Sequence, residues 1–117
     1  MSRTRKHDRK TVSCLVETTL AAIGGRWKVL IIHHLLEGTQ RFGELTRRLS
    51  GVSARTLARQ LRELEADGII DRRVFAQVPP KVEYSLTPLG RQLTPILNAM
   101  HDWGAEVERR RSRNRRT

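Results

Sequence analysis

From position 12 onward the apolar residues recur at helical intervals: Val12, Leu15, Val16, Leu20 and Ile23 fall on neighbouring turns, and Gly24-Gly25 then offers a left-handed stop. The spacing predicts a first helix over 12–23. A second is expected from about Arg26 to Leu36, apolar nearly all round through Trp27, Val29, Leu30, Ile31, Ile32, Leu35 and Leu36, and closed at Gly38. Such a helix belongs in the centre of the domain. A short third helix fits Phe42 to Leu49, with Phe42, Leu45 and Leu49 inward and Arg41, Arg47 and Arg48 outward; Ser50-Gly51 makes the next turn.

The stretch that follows, "GVSARTLARQLRELEADGII", alternates arginine and leucine along the chain. Projected at about 100° per residue, Arg55, Arg59 and Arg62 fall within about 60° of one another, and Leu57, Leu61 and Leu64 gather on the opposite side. The alternation in sequence is therefore segregation in space. This fourth helix starts at Ser53, whose oxygen can accept from the free amides of the first turn. One face is expected to bury leucine and the other to hold guanidinium groups outward.

After "ADG" the period changes to two: Ile70, Arg72 and Val74 on one run, then Val82, Tyr84 and Leu86 on another, joined through "AQVPP" with Pro79-Pro80 stiffening the tip. "LTPLG" restarts a helix, capped by Thr87 with Pro88 in its first turn. Leu89, Leu93, Ile96, Leu97, Met100, Trp103 and Val107 form its broad stripe, and Pro95 is expected to kink it. Four helices, a hairpin and a closing helix, with the short third turning tightly into the fourth, is the order of a winged helix-turn-helix. The fold class expected is mainly α with a small β-hairpin.

Composition narrows the picture. A chain of 117 residues with 38% hydrophobic content suits one small domain. No apolar run reaches the length of a membrane span, and the basic start is not followed by a signal-peptide core, so a cytoplasmic location without membrane contact is expected. A single cysteine, Cys14, can form no internal disulfide. The net charge of +11 is uneven. Residues 1–11 carry five Lys/Arg against one Asp, residues 109–117 carry six arginines and no acid, and the span between is nearly neutral. Three segments follow: a basic flexible arm over 1–11, a winged helix-turn-helix domain over 12–108, whose binding and pairing roles are taken up below, and an arginine-rich tail over 109–117. Both ends read as solvated arms that add salt-dependent affinity for phosphates, or as solubilising tails.

Catalytic and metal chemistry find little support. His33 and His34 are adjacent, so on a helix they point about 100° apart and cannot share a metal. "GVSAR" lacks the second glycine of a nucleophile elbow, and no glycine-rich phosphate loop exists. Neither an enzyme nor a cofactor or metal is expected. Trp27 and Trp103 are read as anchors, of the core and of a subunit seam.

Within this element order Ser53, Ala54, Arg55, Thr56, Arg59 and Gln60, near the start of the fourth helix, are the candidates for reading bases in double-stranded DNA. Arginine can bond guanine O6 and N7 with two prongs, and glutamine can do the same for adenine. Phosphate contacts are expected from Lys28, Gln40, Arg41 and Arg62, and from the wing through Arg72, Arg73, Gln77 and Lys81. Glu63 is placed to tie down Arg59 four residues earlier.

Several blocks then resemble a known family, the HxlR-type transcriptional regulators: "CLVE" at Cys14 to Glu17, "IGGRWKVLII" at Ile23 to Ile32, "RFGEL" at Arg41 to Leu45, "SARTLARQLRELEADGII" at Ser53 to Ile70 and "VPPKVEYSLTPLG" at Val78 to Gly90. They stand in the family's order and cover roughly residues 12–104. Leu15 departs from the family, which usually has proline there. The resemblance implies a homodimer in which the first and last helices pair across a two-fold axis while each fourth helix enters a major groove. Apolar surface points the same way, because a helix over 88–107 would run about 30 Å, longer than so small a core can cover. Leu15, Leu93, Ile96, Leu97, Met100, Trp103 and Val107 are the interface candidates. A two-fold protein predicts an inverted-repeat operator with half-sites about one helical turn, or a multiple, apart. A different class, a nucleoid-type protein that coats nucleic acid without sequence preference, remains open on charge. The resemblance also implies that Cys14 senses oxidants or electrophiles, with Lys10 and Arg9 close enough in sequence to favour its thiolate; plain packing beside Leu15 is the other reading. No small-molecule effector is identified by any residue.

Overall fold

The computed structural model describes residues 14–116; the basic arm expected over 1–11, and Val12, lie outside them. Helix α1 covers residues 14–23, and Gly25, at φ 82°, turns the chain out of it. There follow α2 (Trp27–Leu35), β1 (Gln40–Arg41), α3 (Phe42–Arg48), α4 (Ala54–Ala66), β2 (Ile70–Phe75), β3 (Lys81–Leu86), α5 (Pro88–Arg91) and α6 (Thr94–Arg116). The strands form one antiparallel sheet in the order β1-β3-β2. This is the winged helix-turn-helix arrangement, mainly helical with a small sheet.

Ile31, Ile32 and Leu35 of α2, Leu45 and Leu49 at α3, and Leu57, Leu61 and Leu64 of α4 are all buried. Burying each contributes about 1.5–3 kcal/mol. Ile69 and Ile70, with Tyr84 and Leu86 of β3, seal one side of this core, and Ile23 and Leu97 attach α1 and α6 to it. The turn between α3 and α4 closes through Gly51, whose φ of 91° suits a residue without Cβ.

The secondary structure and its packing depart from the sequence expectations first in four places. The first is β1, two residues that pair with β3 as Gln40↔Tyr84 and Arg41↔Glu83 and bind the base of the wing to the start of α3. The second is Val74, on the inward-facing run of β2 yet 52% exposed. Ile70↔Leu86 and Arg72↔Tyr84 lie over the helices, whereas Val74↔Val82 and Phe75↔Lys81 lie further out along the hairpin. Alternation chooses a face of the strand, but only a covering layer buries it.

Third, the closing helix is broken two residues before Pro95 rather than kinked at it. Pro95 has no N–H to give the Arg91 carbonyl, and the Thr94 hydroxyl donates to that carbonyl at 2.7 Å instead. Leu93 N–H turns back to Gly90 O at 3.1 Å, and a new helix starts at Thr94. Fourth, the arginine-rich tail is no separate arm, since α6 runs on through Arg116. Glu106 bonds Arg109 and Arg110, and Glu108 bonds Arg111 at 3.4 Å, ion pairs at the three- and four-residue spacings that support a helix. The two arginines hold the Glu106 carboxyl below its usual range, first through the Arg110 hydrogen bond and then through the hydrogen bond and charge of Arg109.

Candidate nucleic-acid interface

Ser53 has extended backbone, and its Oγ accepts from Thr56 N–H at 3.0 Å, capping α4. Its hydroxyl in turn donates to Thr56 Oγ1 at 3.0 Å, so both hydroxyls are engaged in the cap. Ala54, Arg55 and Arg59 are exposed, while Thr56 and Gln60 are half-buried at the edge of the face. Behind them Leu57, Leu61 and Leu64 lock the helix into the core. Arg55, Arg59 and Arg62 are exposed, and none of their guanidiniums bonds a described residue. Three unengaged planar forks on one face of an anchored helix are suited to bidentate acceptors.

Glu63 does not tie down Arg59. It accepts from Lys28 Nζ at 2.8 Å, joining α4 to α2, and this bond is the main reason its carboxyl stays below the usual range. The Lys28 side chain is only 11% exposed, so it serves as an internal strut and not the phosphate contact expected of it. Gln40 changes role in the same way: its side chain is buried, and Nε2 donates to His34 O at 3.3 Å. Neither role was readable from spacing, because both partners come from another element.

Arg41 is exposed at the start of α3, its backbone N–H held by Glu44 Oε1 at 2.8 Å. Arg72, Arg73 and Gln77 are exposed on the wing. Arg62 of α4 and Arg72 of β2 line one cleft of about 310 Å³, bringing two cations from separate elements together. Lys81 is less available, paired with Glu83 at 3.3 Å and lying over the Phe75 ring at 4.6 Å. Arg73 covers the same ring at 5.0 Å, so Phe75 organises the distal wing. Between α2 and α3, Arg48 binds Glu37 at 2.6 Å and lowers its carboxyl. The neighbouring His34 imidazole is biased towards its neutral form, chiefly by burial and then by His33.

Away from α4 the chain exposes apolar surface. Ile96, Met100 and Trp103 of α6 are 42%, 48% and 73% exposed. Of the interface residues expected from sequence, Leu15 shares this exposure and Val107 is half-buried, whereas Leu97 is buried in the subunit's own core and Leu93 packs against it. Those two are withdrawn from the open face. Val16 and Leu20 of α1 and Leu89 of α5 belong to it, and the helical stripe that predicted α1 already contained the first two. Cys14 is exposed at the start of α1, with its carbonyl bonded by the Thr18 hydroxyl at 2.7 Å. Trp27 packs against the core as expected, with Arg26 over its ring at 4.4 Å. Among the described residues there is no cluster of metal-ligating side chains, and no helix is long and apolar enough to cross a membrane.

The family model for the HxlR-like helix-turn-helix matches residues 22–112. The HTH-type transcriptional regulator YdeP of Bacillus subtilis is 52% identical over 97 residues, covering 83% of this chain and 76% of YdeP. YybR of the same organism is 54% identical over 91 residues, covering 78% and 73% of the two chains. Among solved structures, the redox regulator HypR in its oxidised form superposes with a TM-score of 0.76 at 53% identity, over 80% of this chain and 96% of HypR. Diamide-treated YodB from B. subtilis superposes at 0.67 with 38% identity, over 77% and 89%. With a capped, arginine-faced α4, a wing and this match over most of its length, the chain belongs to the HxlR-like helix-turn-helix family and is a transcriptional regulator of helix-turn-helix type.

Proposed function

We propose that the chain is a sequence-specific DNA-binding regulator that acts in the cytoplasm as a homodimer on an inverted-repeat operator, and that it is not an enzyme. The observation that carries this reading is the unengaged guanidinium face of α4, set on a helix whose opposite face is wholly buried. Arg55 and Arg59 read bases, with Ser53, Ala54, Thr56 and Gln60 shaping the approach, while Arg41, Arg62, Arg72, Arg73 and Gln77 grip phosphates and set register. Two copies pair through the open apolar faces of α1 and α6, giving the two-fold axis that an inverted repeat requires.

Footprinting on the DNA upstream of the protein's own gene tests the reading. Arg59→Ala is expected to cost about 1–3 kcal/mol on the operator and to relax preference at one position per half-site. Equal weakening on operator and random duplex counts against base reading by Arg59. Arg41→Ala is expected to weaken both duplexes alike and to flatten the salt slope; unchanged salt sensitivity argues against a phosphate contact. Deleting residues 1–11 and 109–117 separates this reading from a nucleic-acid coating protein, which would lose nearly all binding, whereas a regulator keeps its operator preference.

Cys14 adds a redox response to the proposal. It is exposed, and regulators with oxidised and diamide-treated forms share this fold. A lone thiol can be oxidised to a disulfide only with a second copy or an outside thiol, releasing two protons and passing two electrons to the oxidant. Diamide is expected to change operator affinity of the native protein and to leave Cys14→Ser unaffected. An identical response from both proteins removes Cys14 from the mechanism.

A further inference from the structure

Between α1, the turn after α4, and α5 with the start of α6 the surface opens into a hollow of about 580 Å³, walled mostly by exposed residues over a buried floor. Its size lies within the range of small-molecule sites. Buried Ile23 and Ile69, with half-buried Leu93, line its floor, and Leu89 and Ile96, 53% and 42% exposed, add an apolar rim that it shares with the face proposed above for the second copy. Along the rest of α1 the lining side chains are small, Thr18, Thr19, Ala21 and Ala22, and only Ile23 at its end adds a larger apolar group.

Its polar groups are uneven in kind. The Thr18 and Thr19 hydroxyls donate to Cys14 O at 2.7 Å and Leu15 O at 3.1 Å, which leaves only their lone pairs for a guest. Asp67 supplies a carboxylate that bonds no described residue, and Gln92 supplies an amide. An apolar hollow bordered mainly by acceptors and one unpaired carboxylate selects a compact hydrophobic molecule with a cationic or strongly donating end. A carboxylate in so basic a chain also excludes the anions that the rest of the surface attracts.

The hollow also joins the helix proposed for subunit pairing to the end of the helix proposed for base reading. Asp67 is the C-cap of α4, its N–H bonding Glu63 O at 3.0 Å, and Ile69 N–H bonds Leu64 O at 3.0 Å. The same turn is fastened to the start of α5 by the Thr87 hydroxyl, 2.6 Å from Gly68 O. A guest in contact with Thr18, Asp67 and Leu93 therefore touches α1, the end of the base-reading helix and the α5–α6 junction at once. We infer that this cavity is an effector site for a small hydrophobic amine, with Asp67 as the counter-charge. Its coupling to DNA rests on the function proposed above.

The test uses the full chain and three probes of one shape: 3-phenylpropylamine, 3-phenylpropanol and 3-phenylpropanoate. Calorimetry is expected to show one saturable site per chain, with the amine bound about tenfold more tightly than the alcohol and the carboxylate weakest. Asp67→Asn should bring amine and alcohol to equal affinity. Gln92→Trp at the exposed rim should block both, with an unchanged melting profile; Ala22→Phe gives the same block from the α1 side if that variant misfolds. Three probes bound equally, no saturable binding, or binding indifferent to these variants overturns the site. So does sedimentation showing that Gln92→Trp splits a dimer, because a second copy is then the occupant. Saturating amine is expected to shift operator affinity severalfold. Amine binding with operator affinity unmoved overturns the effector role. Amine binding by a chain with no operator preference instead removes the regulator reading and leaves the cavity's ligand standing.

Discussion

Trp103→Glu is expected to leave the fold intact, to abolish dimerisation, and to lower affinity for a two-half-site operator on the order of 10²–10⁴-fold. Trp103 is 73% exposed, so its ring is not needed to cover the core of its own subunit. It stands beside Met100 and Ile96 on a helix of 23 residues, about 34 Å long. Leu15, Val16 and Leu20 of α1 are also about 60% exposed. Isolated exposed apolar residues are ordinary on a soluble protein, but so many on α1 and α6 make up the surface through which the proposed dimer would pair. A carboxylate placed in that seam must be desolvated without a partner, a cost the free subunit never meets. Sedimentation should therefore report a monomer with an unchanged circular-dichroism melt. The operator loss follows because the second half-site then binds as an independent event. Binding to random DNA, carried by the arginines, should fall much less. A dimer that survives the substitution places the two-fold contact elsewhere.

Gly90→Ala is expected to destabilise the domain by about 3 kcal/mol, at the upper end of what an inserted methyl group costs in a packed site. A Cβ at Gly90 would meet the Ile69 carbonyl oxygen at 2.2 Å and Leu86 Cδ2 at 3.1 Å. The first obstacle is backbone and cannot rotate away. That carbonyl also accepts from Thr87 N–H and the Thr87 hydroxyl, each at 3.0 Å, so relieving the clash strains the fastening between the α4–β2 turn and α5. At about 4–8 °C per kcal/mol for a domain of this size, the melting midpoint should drop by 10 °C or more. Gly104→Ala serves as the control, since nothing lies within 4 Å of a Cβ there and a helical alanine is favoured over glycine by about 1 kcal/mol. A Gly90→Ala melt within a degree or two of the native one means that the backbone gives way at little cost. The glycine of "YSLTPLG" thus stands where two segments of the backbone approach closely, a reason the motif alone does not disclose.

Elements whose pattern repeats over several turns were readable from the chain alone. The leucine and arginine faces of α4, the Ser53 cap, the nearly all-apolar α2, the period-two hairpin and the Thr87-Pro88 helix start each follow from local backbone geometry, and each stands where expected. Contacts between distant elements set what periodicity could not. Strand β1 exists because β3 offers it hydrogen bonds, not because Gln40 and Arg41 form a pattern. Lys28 and Gln40 carry the residue types of phosphate contacts, yet Glu63 and the His34 carbonyl claim them inside. Leu97 and Trp103 lie on the same broad stripe, but the body of the domain covers only the first. The composition of the arginine tail reads as a solvated arm, but Glu106 and Glu108 meet its side chains along one continuous helix. Local hydrogen bonding and side-chain period are properties of consecutive residues, so they survive in the bare sequence. Which cation remains free for DNA, and which apolar residue remains free for a partner, depends on what packs against each one, and that exists only once the chain has folded.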